Sequence, residues 1–90
     1  MTLIARTVLI TNRRGLHARA SAKFVTVASG VGVTVEVEKD GSKVVGTSIM
    51  GLMMLGAAMG DSSIISASGD GADLAVQVLV DLVEAKFGEE

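Results

Sequence analysis

The chain has a single histidine, His17, and no cysteine to share chemical duty with it. His17 lies in the stretch Asn12-Arg13-Arg14-Gly15-Leu16-His17-Ala18-Arg19-Ala20-Ser21-Ala22, where a loop gives way to a helix-like pattern. The first turn of a helix carries N–H groups without intrahelical partners and the positive end of the macrodipole, so an anion finds donors there. Arg19 adds a fork of donors suited to phosphate oxygens. A neutral imidazole beside such an anion site can attack phosphorus and hold the group it receives. Its bland counterpart is a helix-start histidine with a satisfied ring. A second candidate is Ser48, whose hydroxyl precedes the apolar run Ile49-Met50-Gly51-Leu52-Met53-Met54-Leu55. There it can cap a helix whether or not it is also modified.

Those side chains need elements to position them. Leu3 to Thr11 predicts a strand. Leu16, Ala20, Phe24, Val27 and Ala28 recur at helical spacing, with Arg19, Lys23 and Thr26 on another face, and Ser29-Gly30 ends that helix. Val33, Val35 and Val37 alternate with Thr34, Glu36 and Glu38, a strand with one buried face. Asp40-Gly41 supplies a tight hairpin turn, and Lys43 to Thr47 a short returning strand. After the Ser48 helix, Asp61-Ser62-Ser63 opens a strand through Ala67, and a helix is predicted from Ala72 to Phe87. Leu74, Ala75, Val78, Leu79, Leu82 and Val83 form its expected buried stripe, and Gly88-Glu89-Glu90 is expected to fray. The order is β-α-β-β-α-β-α. A sheet with its helices gathered on one face buries the helical stripes and the valine face together, and leaves Thr34, Glu36 and Glu38 in water.

Composition narrows the function. Ninety residues make one small domain, and hydrophobic residues at 49% with aromatics at only 2% demand an aliphatic, methionine-containing core. Without cysteine there is no disulfide or thiolate metal site, and one histidine argues against zinc. A net charge of −2 and two phenylalanines do not suit a nucleic-acid binder. No apolar segment reaches membrane-spanning length, and the first residues lack an export signal, so a soluble cytoplasmic protein is expected. Met50, Met53, Met54 and Met59 are open to two readings, core or docking surface: so small a domain cannot bury every apolar residue of 49–59, and methionine-rich surfaces suit docking with several partners.

Gly15-Leu16-His17-Ala18-Arg19, with Ser48-Ile49-Met50-Gly51 placed so that Ser48 lies 31 positions after His17, resembles the histidine-containing phosphocarrier family, HPr, of the phosphoenolpyruvate-dependent phosphotransferase system. The stretch Gly51-Leu52-Met53-Met54-Leu55-Gly56 resembles the family's segment after its regulatory serine. The resemblance implies an α+β open-faced β-sandwich over residues 1–90, a four-stranded antiparallel sheet with three helices on one face. It implies a phosphocarrier rather than an enzyme, without a cofactor and expected to be a monomer. His17 would accept a phosphoryl group at Nδ1 from Enzyme I, itself charged by phosphoenolpyruvate, and pass it to IIA-type domains in sugar uptake or a nitrogen-type regulatory relay. Arg19 and the backbone around it, at Leu16 and Ala18, would hold the phosphoryl oxygens. Ser48 would be the target of an ATP-dependent HPr kinase/phosphorylase, and Ile49, Met50, Leu52, Met53, Arg19 and Lys23 would dock partners.

Two positions depart from the family pattern. Ala20 stands where proline usually follows the arginine, which leaves the helix start less fixed, and Thr47 stands where many relatives have lysine. Arg13-Arg14 makes the loop more basic, favouring acidic partner surfaces. The competing reading is a regulatory module on the same fold that binds partners in a phosphorylation-dependent way. The presence of His17 with Arg19 favours the carrier, because a pure binding module needs no acceptor.

Overall fold

The computed structural model describes residues 2–89. Strand β1 (Leu3–Leu9) leads through a loop to helix α1 (Ala18–Ser29). Strands β2 (Val35–Lys39) and β3 (Ser42–Val45) form a hairpin, followed by helix α2 (Ile49–Leu55), strand β4 (Ser62–Ser68) and helix α3 (Ala72–Glu84). A single 3-10 turn, Lys86–Gly88, follows α3. The four strands form one antiparallel sheet in the order β1-β4-β2-β3. The expected architecture is the observed one.

Local chemistry accounts for the elements. Asp40 and Gly41 both take positive φ, 52° and 84°, the two-residue turn whose twist matches the flanking strands. The hairpin fixes Val37 opposite Val44, and β2 then lays Val37 beside Ile65 of β4. Val8, Val35, Val37, Ile65 and Ala67 face the helices, which answer with Ala20, Phe24 and Ala28 from α1, Leu52 from α2, and Val76, Leu79 and Val83 from α3. Alternation holds across the sheet, so Leu3, Thr7, Leu9, Ile64, Lys43 and Val45 lie on the open face. Of the described helices none is long and apolar enough to cross a membrane.

Several expectations need correction. β1 ends at Leu9, because Ile10 leaves the β1–β4 ladder: its N–H donates to the Asp61 carbonyl, and its own carbonyl accepts from Gly60. β2 begins at Val35 rather than Val33, and β3 stops at Val45. The next residue, Gly46, packs so closely on Phe24 and the Val35 carbonyl that a Cβ would lie 3.1 Å from each. The stripe of α3 is rotated from the predicted one. Leu74 is 68% exposed and Val78 partly exposed, while Val76 and Val80 take the buried places. The last helix ends at Glu84, not Phe87, and the chain then reverses through Lys86, Phe87 and Gly88, all at positive φ. The tail does not fray at Gly88 and Glu89: Phe87 is buried in the core, and Glu89 hydrogen-bonds the loop before α1. Glu90 lies outside the described residues.

Candidate functional site

His17 is the N-cap of α1, with extended backbone (φ −72°, ψ 179°). A capping side chain normally accepts from a first-turn N–H, and the imidazole does so: Arg19 N–H donates to Nδ1 at 3.3 Å. The opposite ring nitrogen, Nε2, lies 2.6 Å from Glu89 Oε2. A carboxylate has no proton to offer, so Nε2 carries the one between them, and Nδ1, receiving an N–H, keeps its lone pair. The two contacts together select the neutral tautomer with Nδ1 unprotonated. A nitrogen lone pair aimed at a helix N-terminus is suited to forming a bond to an electrophile that carries anionic oxygens.

Four features hold the loop that presents this ring. Gly15 takes φ +62°, and a Cβ there would sit 2.3 Å from the Ala57 carbonyl oxygen, so only glycine fits. Leu16 N–H then donates to that same carbonyl at 2.9 Å. From inside α1, the buried Ser21 hydroxyl donates to the Leu16 carbonyl at 3.0 Å, while its N–H donates to the His17 carbonyl. Asn12, also buried, donates from Nδ2 both to the Gly15 carbonyl (2.9 Å) and to Glu89 Oε1 (3.2 Å), joining the loop to the tail.

The tail itself is anchored by Phe87, whose carbonyl accepts from Lys23 Nζ at 3.1 Å. The hydrogen bond from His17, then that from Asn12, holds the Glu89 carboxyl below the usual glutamate range, with the nearby Arg14 charge adding to the effect. Thr11, Arg13, Arg14, His17, Arg19, Met59, Lys86 and Glu89 line an open cleft of about 540 Å³ over the ring. Four of these eight are basic side chains, three of them arginine, so the cleft favours an anionic group. Among the described residues no cluster of three or more histidine, aspartate or glutamate side chains could hold a metal.

The predicted site residues are thus distributed unevenly. His17, Arg19 and the exposed Ala18 meet at the start of α1. The Leu16 N–H is already engaged by Ala57 and is not available to an anion, a correction to the expected donor set. Ala20 is buried third in α1, and the helix starts cleanly without proline because His17 and Ser21 fix its first turn. Ser48 caps α2 as expected, its hydroxyl accepting from Gly51 N–H at 3.0 Å. Ile49, Met50 and Met53 are exposed, with Met54 and Met59 beside them in the sequence also exposed, and Met50 reaches 70%. Leu52 is fully buried and cannot touch a partner: at helical spacing it turns inward as the one core residue of α2. Lys23 is tied to Phe87, so it serves the tail before any partner.

Glu89, Asn12 and Ala57 are the site residues that sequence reasoning missed as functional. Asn12 lies in the same loop stretch as His17, but nothing in local spacing links position 17 to position 57 or 89.

A four-stranded sheet covered on one side by three helices, presenting an unprotonated imidazole nitrogen in a cationic cleft, describes a carrier of anionic groups. The family model described as the PTS HPr component phosphorylation site matches residues 4–85. Phosphocarrier protein HPr of Neisseria meningitidis is 47% identical over 89 residues, covering 97% of this chain and 98% of the relative. Phosphocarrier protein NPr of Shewanella violacea is 37% identical, covering 99% and 98%. Among solved structures, HPr-C-His from Thermoanaerobacter tengcongensis superposes with a TM-score of 0.89 at 48% identity, covering 100% of this chain and 99% of that one. The HPr of Bacillus anthracis gives 0.88 at 32% identity, covering 92% and 99%. The chain belongs to the HPr family of the phosphotransferase system. It is therefore a phosphocarrier protein and not an enzyme, and its family implies phosphotransferase-system partners such as Enzyme I and IIA-type domains.

Proposed function

We propose that His17 is the phosphoryl acceptor and that Nδ1 is the atom that takes the group from Enzyme I. The observation that carries this reading is the paired contact on the ring, Arg19 N–H on Nδ1 and Glu89 on Nε2. As the phosphoryl group arrives, the Arg19 N–H leaves Nδ1 for a phosphoryl oxygen. The freed Nδ1 lone pair forms the N–P bond, the bond from phosphorus to the donor breaks, and its electron pair returns to the donor. The ring keeps its Nε2 proton and so becomes cationic. The Glu89 carboxylate faces that new charge directly. Arg19 and the first-turn N–H groups of α1 face the phosphoryl oxygens. Transfer onward reverses these steps, with a IIA-type domain as acceptor.

Incubation with Enzyme I and labelled phosphoenolpyruvate tests the assignment. Acid-labile, alkali-stable label that disappears in His17→Ala supports it, and label persisting in that variant overturns it. The identity of the IIA acceptor distinguishes sugar uptake from a nitrogen-type relay, and transfer from the labelled protein to each class measures it. The exposed Ile49, Met50 and Met53, with Arg19, form the docking face in this reading. Ser48 at its edge is the proposed target of a regulatory kinase. Its half-buried hydroxyl sits at the start of α2, beside the apolar residues that a partner would cover. In this reading the protein acts as a monomer in the cytoplasm, its residues forming one phosphocarrier domain.

A further inference from the structure

The loop before His17 rests on the segment that joins α2 to β4, and a charged clamp holds that segment. Asp61 accepts Ala58 N–H on Oδ2 at 2.9 Å, and its own N–H donates to the Ala58 carbonyl at 2.9 Å, closing residues 58–61 into a tight turn. Lys39, the last residue of β2, places Nζ 3.2 Å from the same Oδ2 and 3.2 Å from the Gly56 carbonyl. One ammonium thus ties down both sides of Ala57. Ala57 in turn offers the carbonyl that Leu16 N–H meets and against which Gly15 is packed without room for a Cβ. The turn is also sewn to the end of β1 through Ile10, whose N–H donates to the Asp61 carbonyl and whose carbonyl accepts Gly60 N–H.

We propose that Lys39 and Asp61 are positioning residues for phosphoryl transfer, setting the height and direction of His17 by fixing the Ala57 carbonyl beneath Leu16. The proposal rests on His17 being the acceptor. Neither residue touches the ring. The chain of contacts runs from Lys39 and Asp61 through Ala57 to Leu16, and His17 is the next residue. Ala58 N–H, then Lys39, holds the Asp61 carboxyl below the ordinary aspartate range, in keeping with a clamp that stays closed at neutral pH. Because transfer demands an in-line approach of Nδ1 to phosphorus, a small displacement of the loop costs rate without costing affinity.

The test compares Lys39→Met, Asp61→Asn and the conservative Lys39→Arg with the parent, measuring transfer from phospho-Enzyme I against carrier concentration. Lys43→Met serves as control, since Lys43 pairs with Glu36 on the open face, away from the site. The expected result is a maximal transfer rate lowered about tenfold in Lys39→Met and severalfold in Asp61→Asn, with the half-saturating concentration unchanged. Lys39→Arg should restore most of the rate. The His17 ¹⁵N resonances should move in the two slow variants under conditions where their amide spectra remain those of a folded domain. A loss of stability alone would not produce that shift. Maximal rates equal to the parent's, a loss confined to half-saturation, or unmoved His17 resonances would overturn the proposal. Failure of the acceptor assignment is a separate result: the parent itself would then carry no label on His17.

Discussion

His17 is held from both sides, and the two contacts make different demands. Arg19 N–H asks for a lone pair on Nδ1, whereas Glu89 asks for a proton on Nε2. Glu89→Gln replaces an acceptor that must receive a proton with an amide that can either donate or accept, so the tautomer preference weakens. The expected outcome is a rise in the Nδ1-protonated form of the neutral ring, read from its ¹⁵N shifts, and slower transfer from phospho-Enzyme I. An unchanged tautomer balance would show that Arg19 N–H suffices. The pH dependence follows from the lowered Glu89 carboxyl. A depressed carboxylate contributes its interaction above the unfolded value, here 4.5, and loses it as pH falls through the lower folded value. Protonating the imidazole leaves the carboxylate opposite a cation and does not break the contact. Docking of the tail, followed through Phe87 and Glu89 resonances, should therefore persist through mildly acidic pH and fail only below about 4.5. His17→Ala removes the cap as well as the nucleophile. It should abolish labelling and cost roughly 1 kcal/mol or less of stability, leaving a cooperative fold.

The helices show where the sequence was legible and where it was not. α1 could be read because Leu16, Ala20, Phe24 and Ala28 follow one stripe, and the Asp40-Gly41 turn and Ser48 cap because each rests on local hydrogen-bonding or φ preferences. α3 misled because it is apolar on more than one side: Val76 and Val80 compete with Leu74 and Val78, and only the fit against β1 and β4 chooses between them. Leu52 misled differently, being apolar in an apolar helix where one residue alone faces the core. The tail was out of reach altogether. Glu89 meets His17 across 72 positions, and no local pattern encodes a contact between a loop and the end of a chain. Ser48 gives the corresponding prediction. Ser48→Ala loses the hydrogen bond to Gly51 N–H and should cost about 1 kcal/mol. Ser48→Asp keeps an acceptor at a positive helix end and should hold or slightly raise the thermal midpoint. It should nevertheless weaken transfer from Enzyme I, because a charge beside Ile49, Met50 and Met53 must be desolvated when a partner covers them. Transfer measured against concentration separates the two effects. Equal curves for Asp and parent would make Ser48 a cap only.

Across the molecule, charge is segregated although the net value is only −2. Arg13, Arg14, Arg19 and Lys86 surround the cleft over His17, whereas Asp73, Asp81 and Glu84 are carried on α3 and Asp70 just precedes it. Net charge alone would predict repulsion from an acidic partner. The local cations instead predict attraction provided that the His17 end leads, so the distribution orients the encounter as well as strengthening it. The apolar residues Ile49, Met50 and Met53 contribute to docking without regard to salt. The two contributions separate with ionic strength. Going from about 0.01 M to 0.15 M shortens the screening length from roughly 30 Å to 8 Å. The association rate with phospho-Enzyme I should then fall by about tenfold, raising the half-saturating concentration, while the maximal transfer rate stays constant. Arg13→Gln with Arg14→Gln should flatten that dependence and leave the thermal midpoint nearly unmoved, because both side chains are exposed loop residues outside the core. Association that ignores salt in the parent would assign docking to the methionine-rich face alone. A salt-dependent maximal rate would instead place the arginines in the transfer step itself.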